Sequence, residues 1–236
     1  MVPGKRVLAF DADDTLWENE PLFRGAEKKW AGLLSDHGTL EELSEALYEV
    51  ESGNMELLGY GAKAFTLSLF ETTLKLTGGK VTGEQVAGIL EAGYGLLHNP
   101  ATPLEGVEET LRILKESGEY YMVLLTKGDL LDQEKKLERS GLSEYFDRVE
   151  IVSNKSEKEY HRLCEDLGIS TEELTMVGNS LKSDIKPVVD LGGWGIFIPY
   201  HITWAHERID DFEHEKIIRI SSFSQLPQVL RTGRKS

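Results

Sequence analysis

The chain reads as an α/β protein: a doubly wound, mainly parallel sheet covered by helices on both faces, with a block of helices inserted after its first strand. Three observations carry this reading. Short, continuously apolar runs alternate with amphipathic segments along most of the chain, the pattern of strands buried on both sides. An uninterrupted stretch from about Glu20 to His98 shows only the three- and four-residue apolar spacing of helices. The first strand runs directly into three carboxylates within four residues, Asp11, Asp13 and Asp14.

Each element has its own signal. Val7 to Phe10 is the first apolar run. The helical block follows as GAEKKWAGLLSDHG, TLEELSEALYEVESG, GAKAFTLSLFETTLKLTGG and TGEQVAGILEAGYGLL. Its boundaries carry Gly or capping residues, Gly38-Thr39, Gly53-Asn54, Gly78-Gly79 and Thr82, and Thr39 to Glu42 has capping-box spacing. After Asn99-Pro100 a helix is expected around Val107 to Ser117, then a strand over Tyr120 to Leu125 and a helix around Leu130 to Ser140. A strand near Arg148 to Val152 and a helix around Glu157 to Leu167 come next. The strand at Leu174 to Val177, a helix near Leu181 to Leu191 and the strand Trp194 to Ile198 complete the alternation. A last strand at Ile217 to Ile220 and a helix at Ser224 to Leu230 end it. The expected domains are a core of residues 1–18 and 100–236, and a helical insert of residues 19–99.

Composition narrows the classes of function. A chain of 236 residues with 40% hydrophobic and 28% charged side chains can bury a core without cross-links. The net charge of −15 argues against partners that want a basic surface, nucleic acid and anionic membrane. An anionic substrate would need cations gathered locally. One cysteine, Cys164, excludes an intramolecular disulfide and a cysteine-cluster metal site, and its place in an apolar helix pattern reads as a buried thiol. The first apolar run is too short for a secretory leader and no stretch reaches the length of a membrane span. The expectation is a reduced, cytoplasmic setting, as a monomer or homodimer.

Ligands of open parallel sheets bind beyond the carboxyl ends of the strands. There this chain offers Asp11-Ala12-Asp13-Asp14-Thr15, then Thr126-Lys127-Gly128-Asp129, then Ser153-Asn154-Lys155, then Gly178-Asn179-Ser180 with Asp184 close behind. Each group alone suits a solvated loop; their convergence on one rim does not. A carboxylate attacking phosphorus forms an acyl-phosphate. A second acid, two residues along and so on the same side of an extended chain, can protonate the leaving oxygen and then activate water. A hydroxyl and an ammonium hold the transferring oxygens, and a hard cation lets anion approach anion.

These four motifs, in this order over about Lys5 to Pro199, resemble those of the haloacid dehalogenase-like hydrolases. The resemblance implies a three-layer α/β/α, Rossmann-like core with a helical cap domain placed between the first and second motifs. DADDT is similar to the family's DxDxT motif, which implies Asp11 as nucleophile and metal ligand, and Asp13 as general acid/base lending its backbone carbonyl to Mg²⁺. Thr126 matches the phosphate-binding hydroxyl, and Lys127 beside it joins the expected substrate-binding set. Lys155 fits the third motif's lysine-then-aromatic spacing better than Lys158. In the fourth motif, VGNSLKSDI departs from the family's usual acid: Asn179 stands in the first place and Asp184 in the second. An amide oxygen can ligate Mg²⁺, but without charge.

The implied activity is Mg²⁺-dependent hydrolysis of a small soluble phosphorylated metabolite through an aspartyl-phosphate, at a site covered by a moving cap. Asp13 speaks against dehalogenation, because dehalogenating members lack this second acid. A phosphomutase with the same residues stays open, as does a phospho-acceptor or Mg²⁺-binding module without turnover. Receiver modules also combine an acidic pair, Thr and Lys, but carry their acceptor after a later strand and have no insert. Arg24, near the start of the insert with Trp17, Glu20 and Phe23, reads as a surface residue or a substrate cation. His201 and His206 in HITWAHE read as a loop packed on the core rather than a two-histidine metal site.

Overall fold

A computed structural model describes residues 4–232. Six strands form one sheet: β1 (Arg6–Phe10), β2 (Tyr120–Lys127), β3 (Arg148–Val152), β4 (Leu174–Gly178), β5 (Trp194–Phe197) and β6 (Ile217–Arg219). Their order is β3-β2-β1-β4-β5-β6, and every neighbouring pair is parallel. The winding therefore reverses at β1, with β2 on one side and β4 on the other. That reversal opens a crevice at the carboxyl end of β1.

The continuous apolar runs are explained by helices on both faces. Leu8 and Phe10 of β1 and Met122 and Leu124 of β2 pack with Val107, Leu111 and Leu114 of α5 (Val107–Ser117) and with Leu226 and Leu230 of α9 (Leu226–Thr232). Val7 and Ala9 point the other way, as strand alternation requires. They pack with Tyr160, Leu163, Cys164 and Leu167 of α7 (Glu157–Leu167) and with Val188 and Val189 of α8 (Lys186–Asp190). This is the doubly wound α/β/α core. Cys164 is buried within it.

One element differs from the helical spacing of Leu181 to Leu191. Residues Leu181–Ile185 form a wide π-type turn before α8 begins. The Ser180 carbonyl accepts from both Asp184 N (3.0 Å) and Ile185 N (3.2 Å), so the first turn is closed one residue late. Pro187 has no N–H for the Ser183 carbonyl, which would be its helical acceptor. That carbonyl takes the Tyr160 hydroxyl at 2.9 Å instead.

The chain divides into two compact units. The first holds the sheet: residues up to Glu18, Ala101–Lys127 and Leu137 onward. The second comprises Asn19–Pro100 together with Gly128–Lys136, so the segment after β2, expected with the core, groups with the helices. Its helices are α1 (Glu20–Gly32), α2 (Leu40–Leu58), α3 (Ala62–Leu76) and α4 (Gly83–Leu97); α6 (Leu130–Ser140) starts in it and ends in the sheet unit. Thr39 and Glu42 close a capping box on α2, at 2.8 and 3.3 Å, and Thr82 and Gln85 close another on α4. Trp30, Leu34, Leu43, Leu47, Leu69 and Ile89 form a separate apolar core. Within it the Trp30 indole N–H donates to Thr73 Oγ1 at 2.9 Å, satisfying the one polar atom that so large a buried ring brings. Among the described residues no helix is long and apolar enough to cross a membrane.

Glu20 opens α1 in a buried position, accepting from Arg24 Nε at 2.9 Å. Burial pushes its carboxyl up to about 7, only partly opposed by Arg24. A carboxyl raised above its unfolded value binds its proton more tightly when folded. Its contribution is therefore full below the unfolded value of about 4.5 and is lost as pH rises through about 7. Glu20→Gln should be more stable than the parent at pH 8, by about 1–2 kcal/mol, with the gap closing toward pH 4.5. Urea unfolding at the two pH values measures this, and an unchanged gap would remove the titration from the account.

Candidate functional site at the carboxyl ends of the strands

The site grows out of β1. The sheet ladder continues one residue past the strand, with Asp11 N–H donating to the Val177 carbonyl of β4 at 2.9 Å, so Asp11 is held as firmly as a strand residue. The chain then folds back tightly. Ala12 O accepts from Thr15 N (3.2 Å) and Leu16 N (2.7 Å), and Asp14 N donates to Trp17 O (2.7 Å). Asp14 takes the left-handed conformation with φ of 60°, which Asp tolerates better than most residues. The acid that the sequence left without chemistry makes the turn possible.

This turn sets the neighbouring side chains. The Thr15 hydroxyl donates to Asp11 Oδ2 at 2.9 Å, lies 3.2 Å from Asn179 Oδ1 and accepts the Asn179 backbone N–H at 3.1 Å. The first and fourth motifs are thereby tied through one hydroxyl. Trp17, fully buried, donates its indole N–H to Asp13 Oδ1 at 2.8 Å. Asp13 is thus aimed by a residue of its own loop.

The third motif supplies the charge balance. Lys155 Nζ bonds Asp11 Oδ1 and also Asp184 Oδ1, the latter at 2.8 Å. All three side chains are buried. Burial works against the lysine's charge, but the two carboxylates outweigh it and hold its pKa well above the ordinary range. Burial and the nearby Asp11 charge push Asp184 up, and Lys155 opposes them. Removing one partner of a buried ion pair typically costs about 3–5 kcal/mol, so the three side chains stand or fall together. Lys158, the other lysine of the motif, is exposed on the first turn of α7.

Asp184 sits on the wide turn after β4. Its Oδ2 accepts the Ser180 backbone N–H at 3.0 Å, and Tyr160 OH, bonded to the Ser183 carbonyl, lies 3.3 Å from the Asp184 carbonyl. Gly178 makes room for it: a Cβ there would come 2.3 Å from Asp184 Oδ2. The aromatic of the lysine-then-aromatic spacing is thus Tyr160, and it works on the fourth motif.

Thr126 is buried at the end of β2, beside β1. Lys127, next along the strand, points to the opposite face from Thr126. Its ammonium bonds Glu207, lies 3.1 Å from Ser183 Oγ and sits 5.6 Å above the Trp204 ring. Glu207 had no sequence signal of its own. It closes HITWAHE, where His201 and His206 pack their rings on Tyr200 and Trp204 at 4.3 and 4.7 Å. Among the described residues no three His, Cys, Asp or Glu side chains are grouped to hold a metal.

The oxygens gathered around Thr15 and Lys155 are the Asp11 and Asp184 carboxylates and the Asn179 amide. Such a set suits a small hard cation, and the space beside Gly178 lets the Asp184 carboxylate lie against the backbone. The residues present fit such a group.

A family model for haloacid dehalogenase-like hydrolase matches residues 5–192. The chain is 27% identical over 236 residues to glyceraldehyde 3-phosphate phosphatase of Methanothermobacter thermautotrophicus, covering 95% of this chain and 99% of the relative. It is 26% identical over 230 residues to the enzyme of that name from Pyrococcus furiosus, covering 95% and 91%. The crystal structure of a haloacid dehalogenase-like family hydrolase from Xanthomonas campestris superposes with a TM-score of 0.86 at 35% identity, over 99% of this chain and 95% of that one. With motifs, fold and relatives in agreement along nearly its whole length, the chain belongs to the haloacid dehalogenase-like hydrolases.

Proposed function

We propose that the protein is a phosphatase that hydrolyses the monoester of a small phosphorylated metabolite through an aspartyl-phosphate on Asp11. The observation that carries this reading is the Lys155 ammonium bonded to both Asp11 and Asp184. It places a positive charge between two buried carboxylates at the topological switch point of the sheet, where a phosphate can be received.

Asp11 attacks phosphorus through a carboxylate oxygen. As the P–O bond to the leaving group breaks, Asp13 gives its proton to the departing oxygen. In the second half, Asp13 takes a proton from water, whose oxygen attacks the same phosphorus. The acyl-phosphate P–O bond breaks and the Asp11 carboxylate returns. Trp17 orients Asp13 for both transfers through its indole N–H. Thr126 and Lys155 bind the oxygens of the transferring group, and the Thr15 hydroxyl holds Asp11 in attacking position.

A divalent cation, Mg²⁺ on the chemistry of the donors, would be held by Asp11, the Asp13 carbonyl, Asn179 and Asp184. When bound it supplies the positive charge that lets an anionic nucleophile approach an anionic phosphate. Lys127 stays beside Thr126 in the proposed substrate-binding set, with its ammonium bonded to Glu207 and close to Ser183 Oγ. The names of the two relatives make glyceraldehyde 3-phosphate the first substrate to try among phosphorylated metabolites.

Three measurements test the reading. Asp11→Asn should abolish Mg²⁺-supported hydrolysis of p-nitrophenyl phosphate, a loss of at least about a thousandfold in kcat; retained turnover would exclude Asp11 as nucleophile. Asn179→Asp should keep activity and lower the Mg²⁺ concentration for half-maximal rate, since a charged oxygen replaces a neutral one. A collapse of activity in that variant would give the amide another task. Gly178→Ala should displace the Asp184 carboxylate and cut kcat/KM by about tenfold or more with the fold retained, as read by kinetics beside circular dichroism.

A further inference from the structure

Glu207 lies more than twenty residues beyond the fourth motif in sequence, yet its carboxylate gathers three donors around that motif. One oxygen accepts from Lys127 Nζ, and the other accepts from Ser180 Oγ and from Ser183 Oγ, the last at 2.6 Å. Lys127 Nζ is also 3.1 Å from Ser183 Oγ, so the four groups form one network. The carboxylate side chain is 12% exposed and the lysine side chain 16%. An acid taken this far out of water is retained only with full satisfaction of its lone pairs. Lys127 and the two hydroxyls outweigh burial and hold the Glu207 carboxyl below its usual range.

Every donor in this network belongs to the rim. Lys127 follows Thr126 at the end of β2. Ser180 and Ser183 lie within the 179–184 turn, next to Asn179 and Asp184 respectively. Ser180 Oγ also accepts the Ser183 backbone N–H at 3.0 Å, and Ser180 N–H holds Asp184 Oδ2. The loop bearing Glu207 is moored a second time, where Lys182 Nζ donates to the His206 carbonyl at 2.7 Å. The wide turn is thus gripped on one side by Tyr160 from α7 and on the other by Glu207.

We propose that Glu207 is a positioning residue: by binding Lys127, Ser180 and Ser183 together, it sets the 179–184 turn against the end of β2, so that Asn179 and Asp184 are presented to a divalent cation in fixed geometry. The proposal builds on the cation reading above, but its first test does not depend on it. A free loop must order this turn each time a cation binds; a gripped one is already ordered.

Amide hydrogen exchange of the intact protein reads the grip directly. Glu207→Ala should speed exchange at the amides of Ser183, Asp184 and Ile185 by about tenfold or more, with the strands and helical unit unchanged. Calorimetric titration with Mg²⁺ alone should then show about fivefold weaker binding. Glu207→Ala combined with Lys127→Met should lose little more than either variant alone, as members of one network do. Glu207→Gln keeps the shape and one carbonyl oxygen but not the ion pair; it should show a smaller effect of the same sign, and it serves should the alanine variant fail to fold. Unchanged exchange at residues 183–185, with faster exchange only within 200–208, would overturn the proposal and reduce Glu207 to an anchor of its own loop. A parent protein that neither binds Mg²⁺ nor releases phosphate would overturn the function above, while the exchange data would still decide this one.

Discussion

The Lys155 ammonium, shared between Asp11 and Asp184, is the interaction on which the rest of the site depends. Two acids buried on one rim, after β1 and after β4, repel each other and lose hydration, and each effect favours protonation. The lysine opposes both effects from a buried position, without any exposed counter-charge. Its position is a consequence of the fold: β3 must lie at the sheet edge beyond β2, and the turn after β3 must return across the rim toward β1. The apolar packing of α7 then holds that turn in place through Tyr160, whose ring is buried in the core while its hydroxyl bonds the turn after β4.

The rim is built in two tiers. Asp11, Asp13, Lys155, Asn179 and Asp184 hold the groups of the proposed chemistry. Thr15, Trp17, Tyr160 and Ser180 donate hydrogen bonds that aim them. Gly178 contributes by having no side chain where Asp184 must lie. Such an arrangement suits a reaction with little tolerance for misplaced charge, because a carboxylate free to rotate would lose both its partner and its direction of attack. The neutral Asn179 also fits this frame: with Lys155 already serving two carboxylates, a third acid in the same space would add repulsion before any cation arrived.

Much of this was legible in the sequence because it rests on local rules. Continuous apolar runs marked the strands and period-3.6 patterns the helices, and capping residues marked the starts of α2 and α4. The wide turn at Leu181–Ile185 was read as ordinary helix, because apolar spacing does not register one extra residue within a turn. The cause, Pro187 freeing a carbonyl that Tyr160 then takes, joins residues from two elements.

The sequence by itself determined the chemical inventory and its order: acids after the first strand, hydroxyl after the second, lysine after the third, amide and acid after the fourth. Only the tertiary structure decided which lysine serves which acid. Lys155 and Lys158 are one helical turn apart and chemically alike, yet one is buried against Asp11 and Asp184 while the other is exposed. Lys127 stands beside Thr126 in sequence but faces the opposite side of the sheet, toward Glu207. Glu207 itself, 80 residues from Lys127, carried no signal. Pairing over such separations is set by strand order and by the loss of water around buried charge, and neither is written in any local stretch of the chain.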